Sequence, residues 1–381
     1  MSRALRAGQR PLAVYADLAR MVGCDSGLVP HPDQGEQVFT QELVKQLARL
    51  APVVAYSSSS SFPSLRLVDP HPLISPGLAR RLWEARPWAV GYISHLTPAS
   101  LVRMRALKAA ARGAPVVVMP LVSPSLDGAR GLLTRLLRPD LVLSSATGTR
   151  SRLRELGCPT ADLPPAVDLD RFHPPDPGEK ARLRAKWSLP AKDQVVLHVG
   201  HLVPARNLGA LARLAGRPGT TAVLLASHVR VAGSEDLKQE LLARGVLVLE
   251  GYRPDVAELY RAVDCYVFPC RPGGGIDLPA SVLEALASDL PVVTLPFGAL
   301  PERFPNAAGI RFVKDDGEIG SAVSEMLLRR PGTRALAEAF SWEALARRIV
   351  NHLYALAAAG RTKPAPAPLS HTEGEIRVAD G

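Results

Sequence analysis

The chain has 381 residues, 47% of them hydrophobic and 22% charged, with a formal net charge of +10. That length is too great for one ordinary α/β domain and suits two cores of roughly 170–180 residues each. No run approaches the ~18–20 apolar residues that span a bilayer, and the opening MSRALRAGQRPLAVYADLAR lacks the uninterrupted apolar core of a signal peptide. A cytoplasmic protein, peripheral at the inner face of a membrane, is therefore expected.

Charge is unevenly placed. Residues 1–175 hold 21 Lys and Arg against 13 Asp and Glu, whereas residues 176–381 hold 25 against 23. A basic first half suits an anionic partner, either a phosphorylated or acidic acceptor or an anionic membrane surface; solvated basic helix faces in an Arg-rich protein would give the same count. Nucleic acid is not expected, since zinc-ligand spacings, aromatic-interleaved basic runs and a reading helix are all missing. Cys24, Cys158, Cys265 and Cys270 are scattered. The last two flank an apolar strand-like run and read as buried thiols.

In chain order, short β-branched runs alternate with helical ones, the pattern of a parallel-sheet α/β protein. Strands are predicted over 11–16, 52–57, 89–95, 114–121 and 140–145. Helices are predicted over 35–50, where Val38, Leu43, Leu47 and Leu50 share a face, and over 99–113, closing at Gly113. Residues 164–180, rich in Pro and Asp, read as a linker. The alternation restarts with strands at 194–201, 221–227, 245–252, 264–269 and 290–296, and with helices at 236–245 and 280–289. A last helix covers 341–359, and the polar, Pro-rich 361–381 reads as a disordered tail. The expected organisation is an N-terminal Rossmann-like domain (1–170), a C-terminal one (171–340), a helix over 341–360 returning to the first, and the tail.

Two places carry candidate chemistry. In HVGHLVPARNLGALARLA (198–215) a strand ends at Gly200, and a loop with His201 and Arg206 leads into a helix near Asn207. A strand end feeding a helix N-terminus offers free amides and a helix dipole to an anion, and two cationizable side chains there suit a diphosphate; an ordinary βα loop with solvated polar residues is the alternative. In VDCYVFPCRPGGGIDLPASVLEALASDLPVVTLP (263–296) a strand runs into Gly273–Gly275, then Asp277 and a helix containing Glu284. Consecutive glycines permit close backbone approach to a ligand. Asp277 suits an N-cap or a contact to sugar hydroxyls. Glu284, among Leu283, Ala285 and Leu286 and about two turns into a helix starting near Leu278, calls for a dedicated partner.

These features resemble the family-4 retaining glycosyltransferases. The matching stretches are VGHLVPARNL, VLVLEGYRPDVAELYRAVDCYVFPC, DLPASVLEALASDLPVVT and FSWEALARRIVNHLYAL. PDLVLSSATGTRSRLRELG with PPAVDLDRFHPP resembles the family's interdomain crossing, and DQGEQVFTQELVKQLA its Gly-rich first loop and helix. The likeness is continuous from about 139 to 355 and patchy before. It implies the GT-B fold, α/β with two facing Rossmann-like domains and an interdomain cleft. It also implies a retaining, metal-independent transfer of a sugar from a UDP- or GDP-sugar to a hydroxyl of a glycan, lipid-linked saccharide or small molecule. The nucleotide sugar is then a co-substrate, and neither metal nor cofactor is expected.

Residue by residue, the resemblance places Arg206 on the donor diphosphate and His201 where the family usually has Arg. It places Glu284 on the nucleotide ribose, and Gly35, followed by Glu36, at the glycine loop near the donor phosphates. Gly200, Gly274, Gly275, Asp277 and Leu278 complete the expected donor site. His95, closing the 89–95 strand, stands where the family often places a histidine near the transferred sugar; a structural histidine fits equally. His95, Arg206 and Asp277 are the expected catalytic groups. The family's first glutamate is missing: eight residues before Glu284 is Ile276, alignment on Leu278-Pro279 gives Gly274, and Asp277 is the nearest acid. That departure, with His201, keeps open a catalytically degenerate scaffold or glycan-binding subunit. Asp168-Leu169-Asp170 matches a metal-binding DxD pattern but lies within the crossing motif.

Overall fold

The computed structural model describes residues 10–17, 35–58, 65–120, 124, 126–227, 231–251, 253–271 and 278–359. The chain divides into two compact units. The first takes residues 1–143, 153–161 and 346–381, and the second takes 144–152 and 162–345.

The first unit is built on the strands β1 (Leu12–Ala16), β2 (Val53–Ser57), β3 (Arg66–Leu67), β4 (Ala89–Ile93), β5 (Val116–Met119), β6 (Leu141–Ser144) and β7 (Thr160–Asp162), in the spatial order β3-β2-β1-β4-β5-β6-β7. The pairs β1–β2, β1–β4, β2–β3, β4–β5 and β5–β6 are all parallel. Every residue of β1, β4, β5 and β6 is buried, which is why these strands read as continuous apolar runs: helices cover both faces of such a sheet. The helix Pro98–Ala110 starts in a reciprocal capping box, the Thr97 hydroxyl accepting from the Ser100 amide and the Ser100 hydroxyl from the Thr97 amide. It ends at Ala110, and three residues on Gly113 takes φ +82 and its amide donates to the Lys108 carbonyl. Tyr354, on the helix Trp342–Ala359, stacks on Trp88 with ring centroids 4.6 Å apart.

The second unit repeats the plan with β8 (Gln194–Gly200), β9 (Thr220–Ala226), β10 (Leu247–Glu250), β11 (Cys265–Phe268), β12 (Val292–Thr294) and β13 (Ile310–Phe312), ordered β10-β9-β8-β11-β12-β13, with every neighbouring pair parallel. Alternate residues feed opposite cores. Val195, Leu197, Val223, Tyr266 and Val292 enter one, and Val196, Ala222, Leu224, Val267 and Val293 the other, as the period of two requires. Residues 164–180, expected as a linker, are built into this unit. Val167 and Phe172 are buried in its core, and the Val167 amide donates to the Phe340 carbonyl at 2.8 Å. Apolar side chains between the prolines find a hydrophobic seat that a free linker would lack. Asp168 caps the turn that follows: its Oδ1 accepts from the amides of Asp170 and Arg171 at 3.1 and 3.0 Å.

Candidate functional site

In an open parallel sheet, ligands bind outside the carboxyl ends of the strands where the strand order reverses direction. The two sheets place that switch point between β1 and β4 in the first unit and between β8 and β11 in the second.

At the second switch point β8 ends at Gly200, and the chain continues through His201 into a 3₁₀ turn, Pro204–Arg206, before the helix Gly209–Ala215. The helix starts later than Asn207 because Asn207 is left-handed, with φ 54. Its side chain makes the conformation tolerable: Nδ2 donates to the Pro269 carbonyl at 2.9 Å and to Asp316 Oδ1 at 2.8 Å. That tie holds the β8 loop to the end of β11. Arg206, half-buried, lies across the same gap with Nη1 3.7 Å from Cys270 Sγ. Among the described residues no carboxylate pairs with Arg206, whereas Arg213 and Arg271 both reach Asp316. His201 Nδ1 sits 2.6 Å from Ser227 Oγ, at the end of β9. Cys265 and Cys270 are buried thiols, as their apolar setting suggests, and Cys158 is buried too. Burial pushes the Cys270 thiol up, against the opposing pull of Arg206.

Beneath Gly200 lies a residue that the motifs did not single out. His198 is fully buried, and its Nδ1 is 2.9 Å from the Val267 carbonyl while Nε2 has no partner among the described residues. Burial, opposed by that carbonyl and reinforced by the charges of Arg206 and His201, pushes its pKa down to about 4, so the ring is neutral at pH 7 with the proton on Nδ1. A Cβ on residue 200 would lie 2.9 Å from His198 Nε2. The alternation of β8 was the available signal, since residues 198 and 200 point to one side of the strand.

Glu284 is the fifth residue of the helix Ala280–Ala287, one turn in rather than two, because the extended Pro279 precedes the first helical residue. It is half-buried, and Oε2 accepts from the hydroxyl of the fully buried Tyr260 at 2.8 Å. The dedicated partner implied by its apolar neighbours is thus this tyrosine. Burial pushes the Glu284 carboxyl up, while the Tyr260 hydrogen bond and the charge of Arg171 pull it down. Tyr266, stacked on Tyr260, exchanges hydrogen bonds with the Val199 main chain at 3.3 and 3.4 Å, just before Gly200. Leu278 is buried in the core, so any contact it makes to a ligand comes from its backbone. Gly274, Gly275 and Asp277 lie outside the described residues.

At the first switch point His95 follows β4, half-buried, with its carbonyl accepting from the Thr97 amide at 3.1 Å. Gly35 is the first residue of the helix Gly35–Leu50. Sequence reasoning missed Asp17 at the end of β1. It is buried, receives Ser58 Oγ at 3.3 Å and Tyr92 OH at 3.4 Å, and pairs with buried Arg103. Arg103 also donates to the Leu73 and Pro72 carbonyls at 2.7 and 3.1 Å. Both Asp17 oxygens and all three guanidinium nitrogens of Arg103 have partners within the unit, which makes this knot a strut. Among the described residues no cluster of three or more His, Cys, Asp or Glu side chains is placed to hold a metal, and no helix is long and apolar enough to cross a membrane.

Residues 193–329, covering the whole second switch point, match the family model described as glycosyl transferases group 1. A GDP-mannose-dependent alpha-(1-6)-phosphatidylinositol monomannoside mannosyltransferase of Mycobacterium tuberculosis is 30% identical over 241 residues, 56% of this chain and 61% of its own length. The chain thus spans about three-fifths of that relative. A D-inositol 3-phosphate glycosyltransferase of Geodermatophilus obscurus is 28% identical over 87% of this chain and 76% of its own. Among solved structures, Anabaena HepE in complex with UDP and glucose superposes with a TM-score of 0.66 at 16% identity, covering 90% of this chain and 98% of that one. A glycosyltransferase from Rickettsia africae reaches 0.71 at 12% identity, with 91% and 99% covered. The second unit therefore carries a group 1 glycosyltransferase domain over residues 193–329, and the chain has the two Rossmann-like units of the GT-B fold.

Proposed function

We propose that the protein is a retaining, metal-independent glycosyltransferase that takes its sugar from GDP- or UDP-sugar and passes it to a hydroxyl of a phosphorylated or lipid-linked acceptor. The observation that carries this is the half-buried Arg206 at the β8–β11 switch point, which no carboxylate among the described residues neutralises. A guanidinium in that state suits the negative charge that builds on a departing diphosphate, and cationic side chains with backbone amides can do there what a metal ion does elsewhere. His201 adds a second donor at the end of β8, its Nδ1 2.6 Å from Ser227 Oγ. Glu284 is assigned to the ribose hydroxyls. On the first unit, His95 is assigned to the transferred sugar and Gly35 to the glycine loop.

For the donor base, one relative is named for its dependence on GDP-mannose. The relatives' names also point to inositol-phosphate or phosphatidylinositol monomannoside acceptors, which agrees with the basic balance of residues 1–175. Arg206→Ala should lower turnover with GDP-mannose or UDP-glucose by ~10²–10³, the scale of losing one oxyanion contact. Steady-state assays with a phosphatidylinositol monomannoside acceptor check this, and undiminished turnover in the variant rejects the donor site described here.

A further inference from the structure

A carboxylate that accepts two ligand hydroxyls must be charged and correctly turned, and at Glu284 both conditions depend on one neighbour. Oε2 takes the Tyr260 hydroxyl at 2.8 Å; the Ser281 carbonyl, at 3.3 Å, is the more distant acceptor for that same proton. Tyr260 cannot follow a moving partner. It is fully buried on the helix Val256–Ala262, met edge-on by Phe172 at 5.5 Å and stacked by Tyr266 at 5.8 Å between centroids. Among the described residues no other side chain donates to Glu284.

We propose that Tyr260 is the positioning residue of the donor site: it fixes Oε2 of Glu284 and so presents Oε1 as the acceptor for the vicinal diol of a bound nucleoside diphosphate. This rests on the assignment of Glu284 to the ribose. The groups that bear on Glu284 are Tyr260 and Tyr266, both neutral because burial raises them, and Arg171, whose charge favours the carboxylate. Burial opposes ionisation, so removing the Tyr260 hydroxyl raises the Glu284 carboxyl further. Protonation then spoils diol binding at a higher pH than in the unaltered protein.

The test is calorimetric binding of GDP and of 2′,3′-dideoxy-GDP, from pH about 6 to about 8, to the full chain and to Tyr260→Phe, Tyr266→Phe and Glu284→Gln. The unaltered chain should prefer GDP, and Glu284→Gln should lose that preference. Tyr260→Phe should bind GDP about tenfold more weakly near pH 6, the scale of one hydrogen bond to a charged group. It should recover part of the loss near pH 8 and bind the dideoxy compound as before. Retained dideoxy binding also shows an intact fold. Tyr266→Phe, which loses a hydroxyl from the same core without touching Glu284, should keep the preference. Should Tyr260→Phe not fold, 3-fluorotyrosine at position 260, a stronger donor of nearly the same size, should move the low-pH loss of GDP binding to lower pH. If Glu284→Gln loses the preference but both changes at 260 behave like the unaltered chain, the role of Tyr260 is overturned and the donor site stands. If the unaltered chain does not distinguish the two nucleotides, the ribose assignment falls and this proposal falls with it.

Discussion

At position 200 a single methyl group would start 2.9 Å from the Nε2 of His198, a fully buried ring hemmed in by Tyr266 and Phe268. The need for glycine there thus has a source within the fold, besides any close approach of a ligand. Gly200→Ala should cost about 1–3 kcal/mol by overpacking, and most of that cost should vanish in a His198→Ala background. Urea denaturation of the two single variants and the double variant measures the coupling; equal penalties in both backgrounds would mean the ring is no obstacle. Asp17 and Arg103 make a second residue-scale argument. Both are buried, at 2% exposure each, and the guanidinium ties β1, β4 and the 72–73 segment together. Arg103→Met leaves Asp17 as an uncompensated buried charge, a loss on the order of 3–5 kcal/mol that should appear as a lowered urea midpoint. The motif-borne residues Arg206, His201 and Glu284 were legible because each follows a recognisable strand. Asp17, His198 and Tyr260 were not, because their roles come from partners 86, 69 and 24 residues away.

At the level of elements, the long β-branched runs and the strongly periodic helices were readable. The pattern reproduces β1 and the helix Gly35–Leu50 to within a residue. What escaped was short or masked by composition. β3 has two residues and β7 and β13 three each, too few to display a period. The helix Pro76–Ala85 had its signals in plain view, a Ser75 cap accepting from the Leu78 amide and proline in the first turn, inside a Pro- and Ser-rich stretch where no element is predicted. Local signals do carry energy. Thr97→Ala removes half of the capping box ahead of Pro98–Ala110 and should cost ~1 kcal/mol, seen as a lower thermal midpoint. An unchanged midpoint would show that packing alone holds that helix end.

Over the whole molecule, acid stability should report on His198. Its imidazole is pushed down to about 4 in the folded chain from an ordinary 6.5. The unfolded chain takes up that proton near pH 6.5 and the folded chain does not, so stability is full above that value and declines as pH falls toward 4. The group accounts for about 3 kcal/mol across that window. Urea midpoints at neutral pH and near pH 5 should therefore separate less in His198→Leu than in the unaltered chain; equal separations would place the acid sensitivity elsewhere.

The sequence by itself determined the two α/β units, the alternation of strands and helices, and the strand-to-helix segments that bear Gly200, Arg206 and Glu284, because hydrophobic period and strand-to-helix turns are local properties of the chain. Only the tertiary structure decided the strand order that makes β8 and β11 neighbours, the seating of Val167 and Phe172 that built an apparent linker into the second unit, and the pairing of Glu284 with Tyr260. Those depend on which distant segments exclude water from one another, and no local pattern records that.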